Sequence, residues 1–538
     1  MINYTSENQL SISEFKTPFE TTLLSTNRWV VLSNNVPWDA FASIYISMMN
    51  RNIGRPGLCP RMVLGALIIK HQENLDDRGV IAAIQENVYM QFFVGLKEFS
   101  TKPIFDPSLF VEIRKRVGAS TFDALNKKLI QSISKEEDKK QNSKKKKDDD
   151  LPPNKGNLQM DATVADQYIT YPTDSKLLNE SRKKCEKMID KLYELSGKKG
   201  KKPRTYRRIL DTAFLNYAKK KNKSKAVHRK MNRKLLEGLK RDIGHLNKLL
   251  DFFENSHADF PLSYQEQRML WIVNTVYEQQ KQMYDNKLSS CKDRIVSIFQ
   301  PDVRPIPRGK IKAKIEFGSK LGVSLDNGFA QIDTLSWDAY NEAKDLIPQV
   351  ENYKTLHGYY PDLVQVDKIY ANRENRAWLK ERNIRITAPP LGRKSKERNE
   401  ESYYKKQKRK KEAAERNHIE GKFGQGKNGY NLNKISAKLK ATSESWIAAI
   451  FFMMNLINYQ KIKLSGLIFS SSGLFKTNSL EFRRQVKLFK HIMNFLFKKT
   501  NLLMPKILFY KQTRNRLLIF DCDGTIHAPF QLCFGCKG

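Results

Sequence analysis

The sequence predicts an α/β chain: a mixed-sheet core, split after its first strand by a long helical insertion and preceded by an all-α region. Three patterns carry that prediction. Apolar residues recur at three- and four-residue spacing from 28 to 133, as amphipathic helices require. Alternation of apolar and polar residues marks short strands at 158–164, 313–324 and 328–334. Between the first of these and the rest, residues 173 to about 294 are helical in pattern and densely cationic, with no strand signal and no Gly-rich loop.

Bulk composition narrows the function. A chain of 538 residues is long enough for about three units and a sizeable core. Its 96 Lys and Arg against 57 Asp and Glu give a formal charge of +39, which points to a polyanionic partner, nucleic acid first. Six scattered cysteines, at 59, 185, 291, 522, 533 and 536, make no disulfide framework and fit a reducing cytoplasm. The opening MINYTSENQLSISEFK lacks a basic stretch followed by an apolar one, so no signal peptide is expected. The longest apolar run, Trp446 to Ile457, contains Asn455 and is too short to span a bilayer, so no membrane role is expected.

Taken in order, the helical region contains DAFASIYISMM, RMVLGALIIKHQ and VIAAIQENVYMQFFVGL, with turns expected at GRPG (54–57) and DDRG (76–79). FDPSLFVEIRKRVG begins a helix after Pro107 that ends near Gly118. Short helices joined by tight turns, one carrying Arg114, Lys115 and Arg116, suit either a helix-turn-helix-like DNA reader or a packing and dimerisation module. KEEDKKQNSKKKKDDDLPPNKG cannot bury enough apolar surface to fold and reads as a linker. NLQMDATVADQYITYP then reads as a strand displaying Asp161. The cationic insertion predicts long helices with one apolar stripe and one face able to track phosphates. After it, Asp326-Asn327-Gly328 divides two antiparallel strands. A helix over roughly 337–357 follows, then a strand at Leu363–Val366 ending in Asp367, a helix at Glu374–Arg382, a strand at Ile384–Ala388 and a basic helix leading to Glu420. SESWIAAIFFMMNLINY is an apolar helix, capped by Ser443, that packs beneath the sheet.

Three acids stand out because of where they fall. Asp161 lies on the first strand, Asp367 ends a buried strand of the same sheet, and Glu420 follows on a helix between Arg416 and Lys427. Flanking cations favour the ionised form of Glu420, which suits metal binding better than proton donation. Hard divalent cations need several oxygen ligands, so acids converging from separate elements could hold two ions roughly 4 Å apart for in-line phosphoryl transfer.

These residues resemble the bacterial insertion-sequence transposases of the DDE class. The matching pieces are MDATVADQYITYPTD, VQVDKIYANRENRAWLKERNIRITAPPLGR and RNHIEGKFGQGKNGYNLNKI; the last has Arg416, three residues, Glu420, six residues and Lys427. Where the broader signature has a Tyr three positions before the Arg, this chain has Ala413. The resemblance covers roughly 28–460 and implies an RNase H-like core with Asp161, Asp367 and Glu420 as catalytic metal ligands. Arg416 and Lys427 would contact DNA phosphates, with ion pairing to nearby carboxylates as their structural alternative. It also implies two Mg²⁺ ions, with Mn²⁺ able to substitute, and double-stranded DNA partners, both transposon ends and target. A homodimer on DNA in the cytoplasm and nucleoid would bind the terminal inverted repeats and carry out strand cleavage and transfer. A related metal-dependent nuclease and a catalytically inactive DNA-binding relic are the alternatives.

The expected organisation is a helical DNA-binding and assembly region (1–134), a linker (135–156), a catalytic core (157–172 with 300–440), the insertion (173–299), a packing helix (441–460) and an atypical tail (461–538). In the tail RLLIFDCDGTIH resembles a phosphatase nucleophile motif through Asp521 and Asp523, but only 15 residues follow Asp523, too few for the doubly wound domain that motif needs. Cys522, His527, Cys533 and Cys536 match no usual zinc spacing and read as reduced thiols and an ordinary histidine.

Overall fold

The computed structural model describes residues 15–17, 21–49, 57–141, 154–198, 200–255, 259–307, 315–388 and 403–472, with three short strands between 509 and 531. Two compact units result, 1–468 and 469–538. In the smaller, β7 (Phe509–Thr513), β8 (Arg516–Phe520) and β9 (Ile526–Gln531) form an antiparallel sheet. The acids at 521 and 523 and the cysteines at 522, 533 and 536 lie outside the described residues.

The larger unit opens with seven helices: α1 (Arg28–Asn35), α2 (Trp38–Ser47), α3 (Pro60–Gln72), α4 (Asp77–Glu86), α5 (Val88–Phe93), α6 (Leu109–Arg116) and α7 (Ala119–Gln141). Residues 54–56 of the expected GRPG turn lie outside the described residues. The expected DDRG turn is instead a helix start, because the Asp76 carboxylate accepts the Gly79 N–H at 2.6 Å and caps α4. Helix α7 continues into the predicted linker as far as Gln141; SISKEEDKKQ is rich in good helix formers even though it has little to bury. Residues 142–153 of that linker lie outside the description. Arg114 is buried and makes two 2.8 Å bonds to Asp77, which also binds Lys70 at 2.8 Å, so its charge is turned inward. Both cations also lie over the Trp446 ring.

The sheet holds six strands in the order β2 (Arg304–Pro307), β3 (Ile315–Asp326), β1 (Asn157–Asp166), β5 (Leu363–Gln365), β6 (Arg385–Ile386), with β4 (Phe329–Ser336) also paired to β3. Strand β2 has two prolines in four residues and left no readable signal. The β3–β4 turn is as expected, with Asn327 and Gly328 both at positive φ, 48° and 81°. The sheet is mixed: β1 is antiparallel to β3 and parallel to β5. One face is covered by α12 (Leu346–His357) and α13 (Arg373–Glu381), whose Leu346, Val350 and Leu379 pack on Leu158, Met160, Val364 and Val366. A 3₁₀ turn at Glu342–Asp345 occupies the start of the helix expected from 337.

The insertion comprises α8 (Asp174–Leu195), α9 (Arg207–Lys219), α10 (Lys225–Asn255) and α11 (Tyr264–Asp285), packed around their own core, which includes Leu178, Ile189, Leu235, Leu239 and Val273. Helices α14 (Tyr403–Glu415) and α15 (Asn417–Gly429) lead to α16 (Lys440–Ser472). Ser443 is not the cap of α16 but sits in its first turn, its hydroxyl donating to the Ala437 carbonyl at 2.7 Å. Among the described residues no helix is long and apolar enough to cross a membrane.

Helix α16 joins the helical region to the sheet through Asn455, which is fully buried. Its side chain accepts the Ala330 N–H of β4 at 2.9 Å, donates to the Ala330 carbonyl at 2.7 Å and reaches the Asn126 amide of α7 at 3.2 Å. Asn455→Ala leaves two backbone groups unpaired in the interior and is expected to lower stability by about 2–4 kcal/mol in urea unfolding. A loss below about 0.5 kcal/mol would show that this contact does not join the layers.

Candidate active site

The paired strands place the two aspartates. The parallel β1–β5 register runs Asn157–Leu363, Leu158–Val364 and Gln159–Gln365. Leu158 and Val364 face the α12 layer, so by alternation Gln159 and Gln365 face the other way. Asp161 and Asp367 each lie two residues further on, Asp161 in the middle of β1 just beyond its pairing with β5 and Asp367 just past the end of β5, and by the same alternation both fall on the face opposite the α12 layer. Asp161 is half-buried and its carboxylate accepts the Ala162 N–H at 2.8 Å. Asp367 is exposed just past β5, where its carboxylate accepts the Lys368 N–H at 2.7 Å and caps a 3₁₀ turn at Lys368–Tyr370.

Helices α14 and α15 cross that second face. The Glu415 carbonyl of α14 accepts from Gln159 and the Glu412 carbonyl from Gln365, each at 2.9 Å. Only Arg416 separates the two helices, and Glu420 lies in the first turn of α15. A carboxylate is favoured there by the helix dipole. Lys422 anchors the same helix from below: its ammonium is buried and donates to the Gly328 carbonyl of the β3–β4 turn at 3.0 Å. Burial lowers its pKa to about 7.

Not every predicted member meets its expected partner. Glu420 is exposed and paired with Arg416 at 3.2 Å. Lys427 stands 3.8 Å from Asp166 and 3.6 Å from Glu316, at the end of the sheet. Both cations thus adopt the ion-pairing alternative. Among the described residues no three His, Cys, Asp or Glu side chains stand close enough together to hold a metal ion. The donor chemistry nevertheless suits a hard divalent cation, since all three candidates are carboxylates and two lie on adjacent strands. Sequence reasoning missed Gln159, Gln365 and Lys422. The first two left a trace, the shared Gln-x-Asp spacing of LQMD and VQVD.

Two family matches bear on this arrangement. Residues 364–457, which include Asp367, Arg416, Glu420 and Lys427, match the family described as "Transposase DDE domain". Residues 19–116 match a second, "Transposase domain (DUF772)", which falls on the helical region. Together the two matches support an insertion-sequence transposase of the DDE class. A curated relative, "Uncharacterized protein ORF8 in nfe locus" of Rhizobium meliloti, is 29% identical over 152 residues, which are 28% of this transposase and 66% of the relative. The transposase therefore spans just under two thirds of that relative's length. No solved structure matches it.

The contacts of Lys427 are long for charge-assisted hydrogen bonds, which run to about 2.9 Å. Lys427→Ala is accordingly expected to change stability by less than about 1 kcal/mol in thermal or urea unfolding. A much larger loss would make Lys427 a structural pin of α15 rather than a cation free to serve DNA.

Proposed function

We propose that this transposase binds the terminal inverted repeats of its element and cuts and joins DNA strands with an RNase H-like core whose acidic triad is Asp161, Asp367 and Glu420. One observation supports the reading: Asp161, in β1 just beyond its pairing with β5, and Asp367, just past β5, share the sheet face on which α14 is held, and α14 leads through Arg416 straight into α15 with Glu420 in its first turn. Two divalent ions, Mg²⁺ or Mn²⁺, would be held by the three carboxylates and would activate the attacking oxygen and stabilise the leaving one.

The protein's own residues have separate tasks in this scheme. Asp161, on a strand covered on both faces, is the fixed member. Asp367, just past its strand end, has its backbone set by the cap it makes with Lys368. Glu420 must leave Arg416, an exchange between exposed partners that costs little. Arg416 and Lys427 then trade carboxylates for phosphate oxygens, which releases the counterions condensed on DNA. The insertion extends the cationic surface. Arg208, Lys220, Lys230 and Lys234 surround an open groove of about 750 Å³ between α9 and α10, with Ile209, Val227 and Met231 in its lining. A homodimer on the paired ends and a nucleoid location follow from the same reading.

Asp367→Asn is expected to lower Mg²⁺-dependent cleavage of the element's own ends by roughly a hundredfold or more, because a ligand charge is lost while shape is kept. Binding of the ends in a gel-shift assay should remain. Wild-type cleavage by this variant would refute the site assignment.

A further inference from the structure

Buried polar side chains in the middle of a sheet need a reason, and β1 and β5 each have one at the same place. Gln159 and Gln365 are 8% and 0% exposed and stand directly opposite each other as the last paired residues of the two strands. Each precedes a candidate aspartate by two residues, in Leu158-Gln159-Met160-Asp161 and Val364-Gln365-Val366-Asp367. Each uses its amide N–H in the same way. Gln159 donates to the Glu415 carbonyl at 2.9 Å; Gln365 donates to the Glu412 carbonyl at 2.9 Å and reaches the Glu415 carboxylate at 3.3 Å.

The acceptors belong to the last turn of α14, where the Glu412 carbonyl takes the Gln365 amide in addition to a 3.3 Å bond from the Arg416 N–H. Only Arg416 follows before α15 begins, and Glu420 lies in the first turn of α15. The two amides therefore grip the chain about one to two turns ahead of Glu420, from positions two residues ahead of Asp161 and Asp367. The arrangement is a poor one for stability alone. Among the described residues, neither Oε1 atom has a hydrogen-bond partner although both are buried, and a half-satisfied buried amide costs more than an apolar side chain of similar size.

We propose that Gln159 and Gln365 are positioning residues for the transposase reaction, a pair of amides that sets the α14–α15 junction over β1 and β5 and so fixes the reach of Glu420 toward Asp161 and Asp367. The proposal rests on the triad reading above. It assigns the shared Gln-x-Asp pattern a role: the Asp faces the reacting strand, and the Gln two residues earlier, on the same face, holds the end of α14, from which the helix bearing the third acid starts.

The test uses the full chain with Gln159→Met, Gln365→Met and the double variant, because methionine keeps the volume and removes the donor. Three readouts are taken: the thermal unfolding midpoint, Mn²⁺ affinity by calorimetry without DNA, and the cleavage rate of a plasmid carrying the DNA that flanks the gene. The expected result is an unfolding midpoint at or above that of the wild type. Mn²⁺ affinity should fall about tenfold in each single variant, the scale of loss when a group orienting a metal ligand is removed, and cleavage should slow with it. Unchanged Mn²⁺ affinity and cleavage in the double variant would overturn the proposal. A midpoint drop large enough to account for the losses would overturn it as well, by making the amides structural. Asp161→Asn, measured alongside, keeps the two claims apart. If it leaves Mn²⁺ affinity intact, the triad reading fails; if it abolishes binding while the methionine variants bind normally, only the clamp fails.

Discussion

Strand β1 pairs with β5 over its first three residues and with β3 over the rest, is covered on both faces, and the rest of the larger unit is arranged around that constraint. A strand so enclosed must be almost wholly apolar. The exceptions in LQMDATVA are informative for that reason: Gln159, Asp161 and Thr163 all fall on the face toward α14 and α15. The other face is filled by α12 and α13 and leaves no room for chemistry. Among the described residues the face toward α14 and α15 is thus where acids around β1 could gather, and both aspartates of the proposed triad lie on it.

The long insertion is compatible with this because it leaves after β1 and has its own core. Its four helices pack on one another through Leu178, Ile189, Leu235 and Leu239, and the chain then returns as β2 and β3. Part of its positive charge is spent internally. Arg182 is fully buried among Asn179, Glu186 and Asp211, and Arg207 binds Asp190 through two bonds of 2.8 and 2.9 Å. The helical region does the same with Arg61, Lys70 and Arg114. The count of 96 Lys and Arg therefore overstates the cations offered to a polyanion, and the exposed ones near α9 and α10 are the better guide.

Much of the architecture could be read from residue patterns because the governing forces are local. Asn327-Gly328 dictates its own turn, and the alternation in β1 and β3 follows from the pleat. The aspartates were legible since each ends or interrupts an apolar strand. Elements set by tertiary contacts were not: β2 holds two prolines and exists only by pairing with β3, while Arg114 looked like a DNA contact because nothing nearby in sequence announces Asp77. Lys427 reads as a free cation until the fold brings Asp166 and Glu316 beside it. The amides of Gln159 and Gln365 were hidden for the same reason, since their partners lie some 256 and 47 residues away along the chain.

The central claim is that three acids from separate elements share bound metal, and it can be tested without relying on DNA cleavage. Fe²⁺ placed in a divalent-cation site reduces added hydrogen peroxide to hydroxide and hydroxyl radical, with ascorbate returning Fe³⁺ to Fe²⁺, and the radicals cut the nearby polypeptide. The account predicts three sets of cuts in the full chain, close to 161, 367 and 420, all suppressed together by excess Mg²⁺. Cuts that omit the neighbourhood of 420, or that cluster elsewhere in the chain, would contradict it.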